Sequence, residues 1–307
     1  MRNINYLLLS LLLSPILLFA QNKPIDSIPF KLEKDNRIYT YIKVNKSDFL
    51  YFLIDTGASD MVINSEKLSK VNMTFDSNVQ NTGTTGVNTV KSSTSNLLSW
   101  GNQNLTNVRF ISIPFPNEKW DGVLGLSVLK RYNVKIDYNK MQIYLYEKNI
   151  FKNEDLHKIK IHYVKKVPII EIKIKTIDNK IHTLKMEIDT GSDRIIDIST
   201  PYVNNNNLLD IYKSSFATST VTSSDGNSGT ILNNYFPIVT IANFEFYKIP
   251  GGLAQIEFGI MNTDGIDGII GNWFLKRFNL TFDFKNDYLY LEPNNNLHTT
   301  YYEFLTN

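Results

Sequence analysis

The sequence of 307 residues contains no cysteine. This absence excludes disulfide bonds, a thiolate nucleophile, zinc held by cysteine and a lipid-anchored cysteine near the amino terminus. An excess of charge of either sign is also absent, because the formal net charge is +2. Binding to the phosphates of nucleic acid needs clustered lysine and arginine, so we expect no nucleic-acid partner.

Histidine is scarce. The four histidines are scattered and form no HExxH motif or other close set of ligands, and they are His157, His162, His182 and His298. Metal-dependent peptidases of the zinc class rely on such closely spaced ligands. We therefore expect no metal site, and nothing in the sequence implies a cofactor.

Long apolar runs are missing except at the amino terminus. Residues 6–20 are almost wholly apolar, follow the positively charged Arg2 and end at the small residue Ala20. This pattern is typical of a cleavable secretory signal, and the run is shorter than the roughly 20 residues of a membrane-spanning helix. We predict a signal peptide at residues 1–20 and export to the periplasm, the cell surface or the medium. An uncleaved amino-terminal anchor is the alternative.

An internal repeat organises the rest of the chain. Residues 121–137 align without a gap to residues 267–283, with Asp, Gly, Gly, Leu, Lys, Arg, Asn and Asp at equivalent positions. Most other positions exchange one apolar residue for another. Residues 52–59 and 186–193 match in the same way and in the same order. The chain after the signal therefore consists of two copies of one unit.

The boundary between the copies falls in a polar segment. Residues 148–158 are rich in charged residues and asparagine, as expected of a linker. We predict a first lobe at residues 21–150 and a second lobe at residues 151–307. With one unit in each lobe, we expect a monomer whose lobes act as an internal dimer.

Each unit is predicted to consist mostly of β-strands. The predicted strands are rich in β-branched and aromatic residues and are separated by polar or glycine-containing segments. They lie at 38–44, 49–54, 108–113, 134–136 and 143–146 in the first unit, and at 167–174, 184–188, 236–241, 280–284 and 288–291 in the second. One short helix is expected in each unit, at 127–132 and 273–278. The predicted fold class is all-β, with two related lobes.

The triplet Asp-Thr-Gly follows an apolar strand in both units, beginning at Asp55 and at Asp189. Hydrolysis of a peptide bond without a metal or a nucleophilic side chain needs one group that takes a proton from water and one that gives a proton to the carbonyl oxygen. Two carboxyl groups about 3 Å apart share one proton and do both. We therefore predict Asp55 and Asp189 as a catalytic pair where the units meet, acting on a polypeptide.

The residues after each aspartate are expected to support its loop. Gly57 and Gly191 allow a sharp turn that brings backbone N–H groups toward the carboxylates. Thr56 and Thr190 carry hydroxyl groups that can lock the two loops together across the interface.

Two further glycines recur after paired apolar residues, at Gly125 and Gly271. We expect these segments to pack beneath the aspartate loops and to hold them rigid.

The next residue of each loop differs between the units, being Ala58 in the first and Ser192 in the second. A serine hydroxyl can donate a hydrogen bond to a carboxylate and thereby lower its pKa. We therefore expect the shared proton to reside more on Asp55 than on Asp189.

These motifs resemble those of the retropepsin-like and pepsin-like aspartic peptidases, over almost the whole chain after the signal. Asp-Thr-Gly-Ala-Ser at 55–59 is similar to the retropepsin version, and Asp-Thr-Gly-Ser at 189–192 is closer to pepsin. The closest resemblance is to exported bacterial proteins with two fused retropepsin-like units. It implies two β-barrel-like lobes with a cleft between them, and a β-hairpin flap that follows the aspartate loop in a lobe.

Two glycine-containing turns are the flap candidates. They contain Gly83 and Gly86 in the first unit and Gly226 and Gly229 in the second. The Ser, Thr and Gly-rich segment around the second turn could also be a plain surface loop. Pepsin-like enzymes have a flap tyrosine, and residues 79–96 contain none.

The sequence thus predicts an aspartic endopeptidase. Two alternatives remain open: a catalytically silent peptide-binding protein of the cell envelope with the same fold, and a processing peptidase with one dedicated substrate. Both Asp-Thr-Gly triplets are intact, which favours hydrolysis over binding alone.

Overall fold

A computed structural model of the protein describes residues 23–147 and 157–301. The predicted signal peptide and most of the predicted linker lie outside the described residues, so both stay predictions. Among the residues that are described, no helix is long and apolar enough to cross a membrane.

The described residues form mostly strands. In chain order the strands are β1 (Asp26–Pro29), β2 (Lys31–Leu32), β3 (Ile38–Val44), β4 (Leu50–Ile54), β5 (Met61–Asn64), β6 (Ser77–Thr82), β7 (Val87–Trp100), β8 (Gln103–Ile113), β9 (Gly122–Leu124), β10 (Asn133–Asp137), β11 (Gln142–Tyr146), β12 (His157–Lys160), β13 (His162–Val164), β14 (Val167–Lys175), β15 (Ile181–Asp189), β16 (Ile196–Ile198), β17 (Ala217–Thr222), β18 (Ser228–Ile241), β19 (Phe244–Gln255), β20 (Gly268–Gly271), β21 (Phe278–Asp283) and β22 (Tyr288–Pro293). The helices are short: α1 (Leu126–Leu129), α2 (Thr200–Asn205), α3 (Leu208–Ile211), α4 (Asn272–Leu275) and two 3₁₀ turns at Ser65–Lys70 and Ile260–Asn262. The predicted all-β class is confirmed.

Each unit builds one eight-stranded sheet, and the strand order is the same in both. The order is β2-β3-β4-β9-β5-β8-β7-β6 in the first unit and β13-β14-β15-β20-β16-β19-β18-β17 in the second. Additional pairings of β3 with β7 and of β14 with β18 close six strands of each sheet into a ring. The two lobes are therefore barrel-like copies of one fold, as the repeat predicts.

A third sheet, with six strands, joins the lobes. Its order is β1-β11-β10-β21-β22-β12, three strands from each unit. The central strands β10 and β21 are antiparallel, and Lys135 pairs with Thr281, its own equivalent in the sequence repeat. An approximate twofold axis therefore passes through this pair. The sequence predicted several of these strands as parts of separate units, but it did not predict that the units share a sheet.

The apolar core extends without a break through both lobes and the shared sheet. Among its largest fully buried side chains are Phe52, Trp100, Phe236 and Phe278. Two smaller apolar clusters, one in each lobe, lie on the other face of the strands that lead to Asp55 and Asp189. The cluster of the first lobe includes Leu53 and Val123, and that of the second includes Ile169 and Ile269.

Local differences from the predicted elements have physical causes. The helices expected at 127–132 and 273–278 begin one residue earlier and last a single turn, as α1 and α4. Helices α2 and α3 were not predicted, because four to six residues are too few to show a helical period. Strands β6 and β17 were also missed, since their residues are polar and largely exposed, without the alternation of a half-buried strand.

Candidate active site

Asp55 and Asp189 lie at equivalent strand ends. Asp55 directly follows β4, and Asp189 is the last residue of β15. One carboxylate oxygen of each accepts two backbone hydrogen bonds from its own loop. Asp55 Oδ1 is 2.7 Å from Gly57 N and 3.0 Å from Ala58 N. Asp189 Oδ1 has the same arrangement, with N–H groups of the two equivalent residues at 2.8 and 3.0 Å.

The two carboxyl groups lie close enough together that each changes the pKa of the other. The glycine of each loop faces the aspartate of the other. A Cβ atom on Gly191 would lie 2.3 Å from Asp55 Cγ, and one on Gly57 would lie 2.9 Å from Asp189 Cγ. Atoms cannot approach this closely, so the meeting of the two aspartates requires a residue without a side chain at both positions.

The threonines cross-link the two loops. Thr56 Oγ1 donates to the carbonyl oxygen of Ile188 at 2.6 Å, and Thr190 Oγ1 donates to that of Ile54 at 2.9 Å. Each hydroxyl also accepts the backbone N–H of the opposite threonine, at 3.1 Å in both directions. Both threonines are buried. Four hydrogen bonds therefore run between the units directly beneath the two carboxyl groups.

Gly125 and Gly271 lie under the aspartate loops. A Cβ atom on Gly125 would lie 2.1 Å from the carbonyl oxygen of Asp60, and one on Gly271 would lie 2.2 Å from that of Arg194. The next residue in each case donates its backbone N–H to the loop above, Leu126 to Ala58 and Asn272 to Ser192, both at 2.8 Å. These contacts connect the start of α1 and of α4 to the aspartate loops.

The expected asymmetry between Ala58 and Ser192 is not observed. The Ser192 hydroxyl accepts a hydrogen bond from the backbone N–H of Arg194 at 3.2 Å. No hydrogen bond joins this hydroxyl to Asp189 in the part of the chain that the structure describes. Ser192 instead contacts Asp189 through its backbone N–H, as Ala58 contacts Asp55.

Burial raises the pKa of both aspartates, but not equally. At Asp55 the effect of burial on the pKa is the largest. It is partly offset by hydrogen-bonding interactions with Asp189 and with the loop N–H groups, and by the positive charge of Arg37, which all lower the pKa. At Asp189 the neighbouring carboxyl groups of Asp55 and Glu187 add to the effect of burial, so the pKa of Asp189 lies well above its ordinary value. The expected cause of a preference for Asp55 is missing, because the described residues show no hydrogen bond from the Ser192 hydroxyl to Asp189. Which aspartate holds the shared proton stays a prediction.

Glu187 is a third acidic residue at the site, and the sequence analysis did not predict it. It is 3% exposed, and its Oε1 lies 2.9 Å from the position that a Cβ of Gly57 would take. Burial, and then the nearby Asp55, raise its pKa to about 8. The signal for it was present in the repeat, because Glu187 stands in an apolar strand where the first unit has Leu53.

Arg37 is the second residue near the site that was not predicted. Its guanidinium forms ion pairs with Asp35 at 2.9 Å and with Glu118 at 3.4 Å. It acts on Asp55 through its charge rather than by a direct contact. An isolated arginine before a strand carries no sequence signal of such a role.

The flap candidates are the tips of two equivalent hairpins. Strands β6 and β7 are joined by a turn at 83–86, with Gly83 N 2.9 Å from Gly86 O. Strands β17 and β18 are joined by a turn at 223–227 that contains Gly226 in the left-handed region, at φ 85°. Gly229 is not in this turn but in β18, opposite Val221.

The two hairpin tips are hydrogen-bonded to each other. Asp225 accepts hydrogen bonds from the backbone N–H of Thr85 at 3.3 Å and from its hydroxyl at 3.0 Å. The hydroxyl of Ser223 accepts the N–H of Thr84 at 2.6 Å. Burial by itself raises the pKa of Asp225, but hydrogen bonds from Ser223, Asn227 and Thr85 outweigh it and lower the pKa below its ordinary value. We call this set of contacts the tip latch.

Removal of the Asp225 carboxylate is expected to release the tip latch. Hydrogen bonds to a charged group contribute about 1.5–3 kcal/mol, so Asp225→Ala should speed amide hydrogen exchange at Thr84 and Thr85 by about tenfold or more. The wild-type protein should show the same change only in acid. A carboxylate whose pKa is lower in the folded than in the unfolded protein stabilises the fold at pH values above its unfolded-state pKa. This stabilisation is lost as the pH falls through the folded-state pKa. Asp264→Ala, at an exposed aspartate, is the matched control. Equal exchange rates in the two variants would show that the tips do not depend on Asp225.

No group of three or more His, Cys, Asp or Glu side chains among residues 23–147 and 157–301 is arranged to hold a metal ion.

Sequence comparison relates the first unit to known proteases. Residues 41–131 match the family described as gag-polyprotein putative aspartyl protease. A segment of 128 residues is 28% identical to the retrovirus-related Pol polyprotein from transposon 412 of Drosophila melanogaster. The match covers 36% of this chain and 10% of the polyprotein, so the chain spans a small part of that relative.

Structural comparison extends the similarity to both lobes. The crystal structure of an aspartic proteinase from Irpex lacteus superposes with a TM-score of 0.58 and 14% sequence identity, covering 89% of this chain and 98% of that one. The predicted resemblance to retropepsin-like and pepsin-like aspartic peptidases is thus confirmed, in sequence for the first unit and in fold for both lobes. The relation to bacterial proteins with two fused units stays a prediction.

Proposed function

We propose that the protein is an aspartic endopeptidase that hydrolyses peptide bonds with a water molecule activated by Asp55 and Asp189. The observation that carries this proposal is the meeting of the two carboxyl groups from equivalent strand ends. Each lies against the loop glycine of the other unit, and each is oriented by two N–H groups of its own loop. A pair that shares one proton in this way supplies both a general base and a general acid.

The reaction needs no other functional group. The carboxylate of Asp55 takes a proton from water, and the water oxygen forms a bond to the carbonyl carbon of the substrate. The proton held by Asp189 moves to the carbonyl oxygen, which gives a neutral tetrahedral diol. The carbon–nitrogen bond of the diol then breaks as Asp55 gives its proton to the leaving nitrogen. One hydroxyl of the diol gives its proton to Asp189 and becomes the carbonyl oxygen of the new carboxyl group, which restores the pair. The raised pKa of Asp189 supports its part as the acid.

The site requires a single copy of the chain. Each unit contributes one aspartate and one threonine to the site, and the hydrogen bonds of the threonines run between the units. We therefore propose a monomer that takes a polypeptide substrate and uses no metal or cofactor. Export through the predicted signal at residues 1–20 is part of this proposal.

The proposal is tested with purified protein and a mixed peptide library at pH 3 to 8, with products identified by mass spectrometry. We expect cleavage within peptides, inhibition by a statine-containing peptide that mimics the tetrahedral diol, and no cleavage by the variant with asparagine at both Asp55 and Asp189. Binding of peptides without any cleavage would replace the proposal with the silent peptide-binding alternative. Cleavage of one peptide sequence alone would point to a dedicated processing peptidase.

A further inference from the structure

We propose that Glu187 is a positioning residue for the proton shared by Asp55 and Asp189, and that its ionisation raises the pH at which the pair loses this proton. This inference rests on the proposed function of the same site.

The repeat provides a direct comparison for Glu187. In the first lobe the equivalent residue is Leu53, which pairs with Tyr39 on one side and Val123 on the other. In the second lobe Glu187 has the same place between Ile169 and Ile269. An apolar side chain therefore fits this position in the fold, and the architecture does not require a carboxyl group there.

The surroundings of Glu187 offer little compensation for a charge. The side chain is buried, and its Oε2 atom has no hydrogen-bond partner among the described residues. The neighbouring strands present Ile169 and Ile269 to it, and the second lobe's apolar cluster lies on the same face. A buried carboxyl group without partners destabilises a protein, which favours a role in the reaction over a role in folding.

The nearest charged groups are those of the aspartate pair. The position that a Cβ atom of Gly57 would take lies 2.9 Å from Glu187 Oε1 and 2.9 Å from Asp189 Cγ. These two atoms are therefore at most twice that distance apart. The next charged residues along β14 and β15 are Glu171 and Lys185, whose side chains are exposed, and β20 carries none.

Other charged residues near the pair lie on both lobes. In the second lobe the guanidinium of Arg194 is paired with Asp197 at 2.7 Å, and burial raises the pKa of Asp193. Arg37 acts on Asp55, but its guanidinium is paired with Asp35 and Glu118. None of these groups forms a hydrogen bond with Glu187 in the described structure. The ionisation of Glu187 is therefore coupled chiefly to that of the pair.

The expected effect on the pair depends on pH. In acid Glu187 is protonated and uncharged. It therefore does not change the pH at which the pair gains its second proton, which sets the acid limb of the pH profile. Near neutral pH it begins to ionise, because its pKa is about 8. A negative charge beside the pair then opposes the loss of the shared proton. The pair stays singly protonated, and therefore active, to a higher pH than it would alone.

The test is the pH dependence of kcat/KM from pH 3 to 9 for the wild-type protein, Glu187→Gln and Glu187→Leu. Leucine is the residue of the equivalent position in the first lobe, so the second variant is expected to fold. In both variants we expect the alkaline limb to move down by about one pH unit while the acid limb stays in place. Glu187→Asp should restore part of the shift. Glu171→Gln, on the exposed part of the neighbouring strand, should move neither limb.

An alkaline limb that stays in place in active Glu187→Gln and Glu187→Leu proteins overturns the inference. A shift of both limbs by the same amount also overturns it, because that result would indicate a general change of the site.

A second measurement does not depend on activity. Melting temperatures of the wild-type protein and Glu187→Gln are compared between pH 5 and 9. When the pKa of a carboxyl group is higher in the folded than in the unfolded protein, its contribution to the stability of the fold is fully present at pH values below the unfolded-state pKa. That contribution is lost as the pH rises through the folded-state pKa. The wild-type protein should therefore lose stability relative to the variant across this range. A constant difference would show that Glu187 does not titrate there. If this measurement succeeds and the wild-type protein cleaves nothing, the proposed function fails and the ionisation of Glu187 stands.

Discussion

Asp55→Asn and Asp189→Asn are each expected to reduce kcat/KM for peptide cleavage by at least about 10³-fold. Asparagine has nearly the shape of aspartate, but it neither takes up nor releases a proton. With one partner changed, the remaining carboxyl group cannot be both the base for water and the acid for the carbonyl oxygen. The double variant should be no less active than either single variant, because the two groups act as one unit.

The same variants are expected to fold, and this separates a loss of chemistry from a loss of structure. Burial raises the pKa of both aspartates, and the nearby Asp55 raises that of Asp189 further. Their ionisation therefore destabilises the fold as the pH rises. Removing one of the two should leave the melting temperature at pH 7 unchanged or higher. Asp48→Asn, at an exposed aspartate, is the control for activity. A single variant that retains cleavage would contradict the pair.

The second large effect is expected when the hydroxyl groups of Thr56 and Thr190 are removed. Valine has the shape of threonine but cannot donate to the carbonyl of the opposite unit or accept its N–H. Thr56→Val therefore leaves two buried backbone groups without partners, the carbonyl of Ile188 and the N–H of Thr190. Each such group costs about 1–3 kcal/mol, so the free energy of unfolding should fall by about 2–6 kcal/mol. Thr190→Val should have a similar effect for the same reason.

Urea unfolding measures this change, and Thr56→Ser is its matched control because it keeps the hydroxyl. The serine variant should lose less than half as much stability as the valine variant. The double valine variant should lose less than the sum of the two single effects, since both threonines belong to one network. Equal stability of the valine and serine variants would show that the hydroxyl groups do not hold the units together.

What the sequence predicts well is local in the chain. The aspartate, threonine and glycine of each loop are consecutive, and their repetition after equivalent apolar strands indicates two copies of one loop. The strands with one buried face, such as β3 and β14, show the expected apolar pattern. From these features the fold class, the number of lobes and the identity of the candidate site follow without a structure.

What the sequence did not predict depends on contacts between distant residues. The pairing of β10 with β21 joins segments 146 residues apart in the repeat, and no local pattern specifies that partner. The contact of Asp225 with Thr85 is of the same kind. Glu187 differs, because its mismatch with Leu53 is visible in the repeat. Its meaning needed the observation that the side chain turns toward the aspartate pair rather than to solvent.

The sheet shared by the two lobes has a consequence for how the protein loses its structure. Three strands of each lobe have their hydrogen-bond partners in a sheet whose centre pairs β10 of one lobe with β21 of the other. Unfolding of one lobe would leave the edge of the partner strand without its hydrogen bonds and expose the apolar side chains of the continuous core. A molecule with one folded and one unfolded lobe is therefore high in free energy. The two copies of the repeat, although separate in sequence, form a single cooperative unit in unfolding.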